Sequence, residues 1–382
     1  MPNILIIKLR YIGDVLLATP TLRAIKAARP DARVTMMVNR GTQDVLSGNP
    51  DLDEIIVLDK GSLAAQSRLI VGLRHRRFDT VIDLTDGDRS AFLSWTSGAP
   101  VRIGFNDEHR WRGHYYTQVV QSVPGVRHRI DRDLEALKPL SIQAGSKDPQ
   151  LWLTPEEENS ADKLLNQLGV QRSQSMVILQ PSARYWFKAW PPERYAELAD
   201  RLTSQYGCQV LIGGSDQDID LAQQIRQMAK RSPINAAGRT TIKQFAAIAK
   251  KSALFVGSDS GAMHMASAVG TPVVALFGPS NPREWGPRGG PVEVLYKELD
   301  CRSCFHPTCE RGGAELHAAD LGRRSVGRCV PDGAEWDNGN GITVILLIQK
   351  CVHVFQHLNG ESRVLCKYAT VFLGRGNIHD RA

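Results

Sequence analysis

What most limits the fold of this chain is an alternation of short, uninterrupted apolar runs with stretches of helical periodicity. Ile4 to Ile7, Val34 to Val38, Glu54 to Leu58 and Thr80 to Leu84 read as strands, and Val15 to Ala28 and Leu63 to Leu73 as helices. Strands that are apolar on both faces belong in a parallel sheet covered by helices on both sides. The alternation restarts after the polar stretch Gln143 to Gln150 and a helix over Pro155 to Leu168. Its further strands are Met176 to Leu179, Val210 to Ile212, Leu254 to Val256 and Val273 to Phe277. The 382 residues therefore divide into two doubly wound α/β domains, 1–168 and 169–322, facing a central cleft that takes one substrate in each half. Past about Arg311 the alternation fails, and 323–382 is expected to be an atypical tail, disordered or frameshifted.

A chain that is 42% hydrophobic and 23% charged is neither disordered, collagenous nor coiled-coil. Its 47 Lys and Arg against 40 Asp and Glu give a net charge of +7, which favours phosphate-rich or anionic partners; nucleotide, nucleic acid and acidic glycolipid all stay open. Seven scattered Cys and a Met1 that leads straight into a strand suggest a cytoplasmic protein with reduced thiols. No apolar run approaches the roughly 18 to 20 residues of a spanning helix, so membrane contact would be made from the surface.

Three loops carry candidate chemistry. The first strand ends in Lys8-Leu9-Arg10-Tyr11-Ile12-Gly13-Asp14, where Gly13 permits a tight turn at the crevice edge. Asp14 is there either a helix cap or a functional carboxylate. In the second domain Gln180-Pro181-Ser182-Ala183-Arg184-Tyr185-Trp186-Phe187-Lys188-Ala189-Trp190 offers a hydroxyl, two cations and aromatic surfaces, a set suited to a diphosphate or merely a solvated Lys beside structural tryptophans. Gly257-Ser258-Asp259-Ser260-Gly261-Ala262-Met263-His264 reads as strand, turn and helix start. Its small residues leave backbone N–H groups free for phosphate, and Asp259 can accept from sugar hydroxyls. His264 either faces a ligand or packs. Asp216, after Gly213-Gly214-Ser215, is a ribose binder or a cap. No GxGxxG fingerprint follows the first strand, and the basic residues form no long stripe interleaved with aromatics, which disfavours a dinucleotide oxidoreductase and a nucleic-acid binder.

Taken in order, Ile12-Gly13-Asp14-Val15 with Thr19-Pro20, Gln180-Pro181-Ser182-Ala183 with Lys188-Ala189-Trp190, Gly238-Arg239-Thr240, and Gly257-Ser258-Asp259-Ser260-Gly261 with His264 resemble glycosyltransferase family 9, the ADP-heptose:lipopolysaccharide heptosyltransferases. Arg10 to Asp14, Asp83-Leu84-Thr85-Asp86 and Arg184 to Trp190 look most like the branch that adds the third, side-branch core heptose. The resemblance implies a GT-B fold and inverting transfer from ADP-heptose to a heptose of the lipopolysaccharide inner core, with neither metal nor cofactor. It implies Asp14 as base and Lys188 as the cation on the departing diphosphate. Ser182, the backbone of Ser260, Gly261, Ala262 and Met263, Asp216, Asp259 and His264 would hold the donor. Arg10, Arg74, Arg77, Arg110 and Arg112 are candidates for acceptor carboxylates and phosphates. The same basic face would meet the inner leaflet of the inner membrane. Another family 9 specificity and a non-catalytic glycan binder are the alternatives. Cys301, Cys304 and Cys309, with His306 or Cys329, approach zinc spacing, but the second ligand pair is missing and loop thiols are the plainer reading.

Overall fold

The computed structural model describes residues 1–296 apart from Lys60 and Pro124. The cysteine cluster and the tail expected from the sequence lie outside the described residues. The strands are β1 (Asn3–Lys8), β2 (Arg33–Asn39), β3 (Glu54–Leu58), β4 (Thr80–Asp83), β5 (Val101–Phe105), β6 (Gln118–Val120), β7 (Met176–Gln180), β8 (Gln209–Ile212), β9 (Ile234–Asn235), β10 (Leu254–Ser258), β11 (Val273–Phe277) and β12 (Val292–Tyr296). They form two six-stranded sheets, β3-β2-β1-β4-β5-β6 and β9-β8-β7-β10-β11-β12, with every pairing parallel. Counted from its own first strand, each sheet has the same winding, so the restart read in the sequence is a structural repeat. Each winding reverses between its first and fourth strands, β1/β4 and β7/β10, and ligands of such sheets bind at that reversal beyond the carboxyl strand ends.

The helices are α1 (Ile12–Leu17), α2 (Thr19–Ala28), α3 (Leu63–His75), α4 (Asp88–Thr96), α5 (Arg129–Glu135), α6 (Pro155–Gln167), α7 (Pro192–Tyr206), α8 (Ile219–Met228), α9 (Ile242–Lys251), α10 (Gly261–Ala268) and α11 (Pro282–Trp285). The single helix expected over Val15 to Ala28 is two helices, and Pro20 is the reason. It has no N–H for the Leu16 carbonyl, which instead accepts from Thr19 Oγ1 at 2.8 Å. Helix α6, left in the first domain by the sequence, packs on α9 of the second through Lys250–Glu158 and Lys251–Asp162 at 2.7 and 2.6 Å.

A continuous apolar cluster runs from Ile6 and Leu16 through Val45 and Leu164 to Phe245 and Met263, so the two sheets share packing at their seam. Polar ties flank it. Arg288 pairs with Asp131 at 2.8 Å, Arg129 lies over the Trp285 ring, and Lys243 donates to the Ser47 carbonyl at 2.8 Å. His128 caps α5 by accepting from the Ile130 N–H through Nδ1, so Nε2 carries the proton donated to the Gly286 carbonyl at 2.8 Å. Burial, aided by Arg288, pushes the His128 pKa down to about 4. Because the folded value is depressed, the unfolded chain takes up the proton first as pH falls below about 6.5. Stability is therefore lost between that pH and about 4, by at most about 3 kcal/mol. The variant His128→Asn keeps a capping oxygen and removes the titration. Its melting temperature is expected to vary less with pH over this window than that of the wild type, and parallel pH profiles would refute the assignment.

Candidate active site

In the first domain the loop after β1 is stitched to the loop after β4. Thr85 Oγ1 accepts from the Leu9 N–H at 2.8 Å and donates to the Ile7 carbonyl, while the Thr85 carbonyl accepts from Arg10 Nε and Nη2 at 3.1 and 2.8 Å. Thr85 is itself held by Asp83, which accepts from the Thr85 N–H and the Tyr116 hydroxyl at 2.8 and 2.7 Å. Burial raises the Asp83 pKa. Below the loop, Lys8 and Asp133 form a fully buried ion pair at 2.5 Å. These contacts fix the residues preceding α1, so the start of that helix is a rigid platform.

Asp14 stands in the first turn of α1. The N-cap position itself belongs to Tyr11, whose side chain makes no capping bond, and Asp14 follows three residues later. Among the described residues no hydrogen bond or ion pair engages the Asp14 carboxylate, and its charge is felt by His264 of the second domain. A Cβ on Gly13 would lie 3.1 Å from His264 Cδ2 and 3.5 Å from Gly261 Cα. The amino termini of α1 and α10 thus meet glycine to glycine across the seam, and a methyl group here would press on the imidazole.

On the facing side, Gln180 closes β7, and its Nε2 donates to Ser182 Oγ at 2.8 Å. Gly213 and Gly257 flank it where a Cβ would come within 2.7 and 2.9 Å of the Gln180 side chain. Lys188, in the 3-10 turn Trp186–Lys188, bonds Asp259 Oδ2 at 2.6 Å, and both side chains are buried. The sequence assigned these two residues separate roles; the structure makes them one ion pair. Ser260 caps α10 by accepting from the Met263 N–H at 3.4 Å. That N–H is therefore occupied, whereas those of Gly261 and Ala262, in the first turn, have no acceptor within the helix.

His264 is buried, and its Nδ1 has no partner among the described residues. Its pKa is lowered by burial, with Asp259 and Asp14 opposing and Lys188 adding to the shift. Asp216 lies exposed after β8, where Ser215 and Asp218 form the capping box. A neighbouring contact escaped the sequence reading: Arg184 stacks 3.3 Å over the Tyr11 ring, joining the loop that carries Lys188 to the one that carries Asp14.

The expected acceptor arginines separate. Arg10 is at the crevice, committed on one edge to Thr85. Arg110 is exposed at the start of α4 and pairs with Asp88 at 3.1 Å and Glu108 at 3.5 Å. Arg112 is buried against Asp86, Asp88 and Glu108, an internal node rather than a surface cation. Asp86 is shared with Arg132 at 2.5 Å. Arg74 and Arg77 are not brought to the crevice. Arg74 stands in the last turn of α3 and Arg77 just beyond its end, and that helix returns the chain to the amino-terminal sheet edge, where the Arg76 carbonyl accepts from Asn3 at 2.8 Å.

Two doubly wound domains with a carboxylate on one wall and a Lys, a Ser-capped helix start and a Gly-flanked loop on the other define a GT-B glycosyltransferase. The model of glycosyltransferase family 9 (heptosyltransferase) matches residues 66–314, and the chain belongs to that family. It is 32% identical over 289 residues to lipopolysaccharide heptosyltransferase 3 of Escherichia coli K12, covering 73% of this chain and 83% of that one. E. coli K12 lipopolysaccharide heptosyltransferase 2 is 29% identical, with coverages of 73% and 84%. Among solved structures, a family 9 glycosyl transferase of Veillonella parvula superposes with a TM-score of 0.71 at 28% identity, covering 77% of this chain and 85% of the other. E. coli ADP-heptose lps heptosyltransferase II gives 0.66 at 26%, with coverages of 78% and 91%.

Proposed function

We propose that this heptosyltransferase moves heptose from ADP-heptose to a heptose hydroxyl of the lipopolysaccharide inner core, with inversion and without a metal, adding the third, side-branch heptose. The observation that carries the reading is the Asp14 carboxylate, unpaired among the described residues, set against the Lys188–Asp259 pair and the start of α10. Asp14 takes the proton of the acceptor hydroxyl as its oxygen attacks the anomeric carbon, and the bond from that carbon to the phosphate oxygen breaks, its electron pair leaving with ADP. Lys188, Ser182 and the N–H groups of Gly261 and Ala262 receive the growing diphosphate charge. Asp259, released from Lys188 by the diphosphate, accepts from donor-heptose hydroxyls, His264 lines that sugar, and Asp216 binds ribose. Arg10 and Arg110 face the anionic acceptor, which is met at the inner leaflet of the inner membrane. The likeness to heptosyltransferase 3 supports the third-heptose specificity.

The test is ADP release with ADP-heptose and defined core acceptors in the presence of EDTA, with the anomeric configuration of the product read by NMR. Acceptor-dependent, EDTA-resistant release with inversion is expected, fastest on the acceptor that lacks only the side-branch heptose. Faster release on a core lacking the first or second heptose would reassign the specificity.

A further inference from the structure

The first domain carries an aromatic cluster that its core does not use. Phe92 and Trp95, one turn apart on α4, meet Trp111 and Tyr115 from the 3-10 turn Trp111–Tyr115. Trp95 stacks on Tyr115 at 5.3 Å, Trp111 meets Tyr115 edge-on at 5.3 Å, and Phe92 lies 6.0 and 6.2 Å from Trp95 and Tyr115. Ala91 and Leu93 of α4 are buried, yet Phe92, Trp95 and Trp111 remain 38%, 46% and 53% exposed. That leaves on the order of 300 Å² of contiguous aromatic surface in water, the size of the largest apolar patch of a typical monomer, which is often a functional one.

The rim is basic. Arg89 precedes Phe92 by one turn on the same face of α4, and Arg74 anchors Nε on the Thr96 carbonyl at 3.1 Å at the other end of that helix. His75, Arg77 and His114 are exposed on the adjoining α3 end and 3-10 turn. The patch begins at the crevice mouth, where Arg110 pairs with Asp88 in the first turn of α4.

We propose that this face docks the enzyme on an anionic lipid bilayer. Trp and Tyr rings settle at the headgroup level, and Arg side chains are drawn to an anionic surface in a salt-sensitive manner. No helix among the described residues is long and apolar enough to cross a membrane, so this is contact from the surface. A second copy of the chain fits less well, since the patch falls short of the roughly 800 Å² per partner of a stable interface. A saccharide fits less well too, because the Trp95 and Tyr115 faces are turned on each other at 22° rather than left open for a sugar ring. Docking here brings the crevice to the surface that carries a lipid-linked acceptor; this last link rests on the function proposed above, whereas bilayer binding itself does not.

The test is co-sedimentation of the full chain, without donor or acceptor, with phosphatidylglycerol/phosphatidylethanolamine vesicles and with phosphatidylcholine vesicles. The wild type is expected to bind the anionic vesicles, in a salt-sensitive manner, and not the zwitterionic ones. Trp95→Ser/Trp111→Ser is expected to lose at least tenfold in partitioning, and Arg89→Glu severalfold. With a delipidated core oligosaccharide the variants keep wild-type turnover, while turnover on vesicle-borne acceptor falls. Equal partitioning of variant and wild type would overturn the proposal. So would loss of turnover on the delipidated acceptor with vesicle binding intact, which would make the patch a saccharide site, or loss of a dimer in solution, which would make it a subunit contact. If neither acceptor turns over in the wild type, the functional reading fails while the vesicle result still stands.

Discussion

Asp14→Asn is expected to bind ADP-heptose with wild-type affinity and to lose about a hundredfold to ten-thousandfold in turnover, the range that a positioned general base supplies. The substitution is nearly isosteric and removes charge from a side chain that bears no hydrogen bond or ion pair among the described residues, so α1 has no contact to lose. Titration calorimetry with ADP and single-turnover transfer measure the two quantities separately. Asp14→Glu offers a second check. It keeps the carboxylate but pushes it across a seam where Gly13 already lies close to His264, so partial activity and a raised acceptor KM are expected. Full activity of the Asn variant would move the base elsewhere. Parallel loss of ADP binding would make Asp14 a structural residue of the seam.

How far the site was legible in the sequence depended on the range of the contact. The strands and the restart of the pattern were visible because buried parallel strands are continuous apolar runs, and the three loops were visible because small residues, Gly and charge cluster at strand ends. Four strands were not read: short β6 and β9 carry too few residues for a period to register, and in β5 and β12 the charged Arg102 and Glu293 interrupt the apolar run. The Pro20 break was written in the chain and missed because helical periodicity continues across it. Burial decided the arginines: Arg112 has the local look of a surface cation, and only the fold shows the three carboxylates around it. Arg74 and Arg77 stand on the wrong sheet edge for the crevice, a fact that follows from α3 being a crossover helix. Lys8 left a trace as a lone charge ending an apolar strand, whereas its partner lies 125 residues away. The Tyr11–Arg184 stack joins two domains and leaves none.

Lys188 and Asp259 show the same limit with the largest consequence for stability. Opposite charges buried together neutralise each other, and removing one leaves the other in a poorly solvated site at a cost of about 3 kcal/mol. Lys188→Ala is therefore expected to lower the denaturant midpoint and also to weaken ADP binding by about tenfold to a hundredfold, the worth of a charge-assisted hydrogen bond. Asp259→Asn separates the two effects. It also breaks the pair, so the midpoint falls, but it frees Lys188 for the diphosphate. ADP binding is expected to hold or tighten while transfer slows, because the acceptor of donor-sugar hydroxyls is weakened. Opposite signs for ADP affinity in the two variants fit an ion pair that trades its carboxylate for the incoming diphosphate. Equal losses would mean that the pair only holds the Lys188 turn against the end of β10, and the departing charge would then rest on Ser182 and the start of α10.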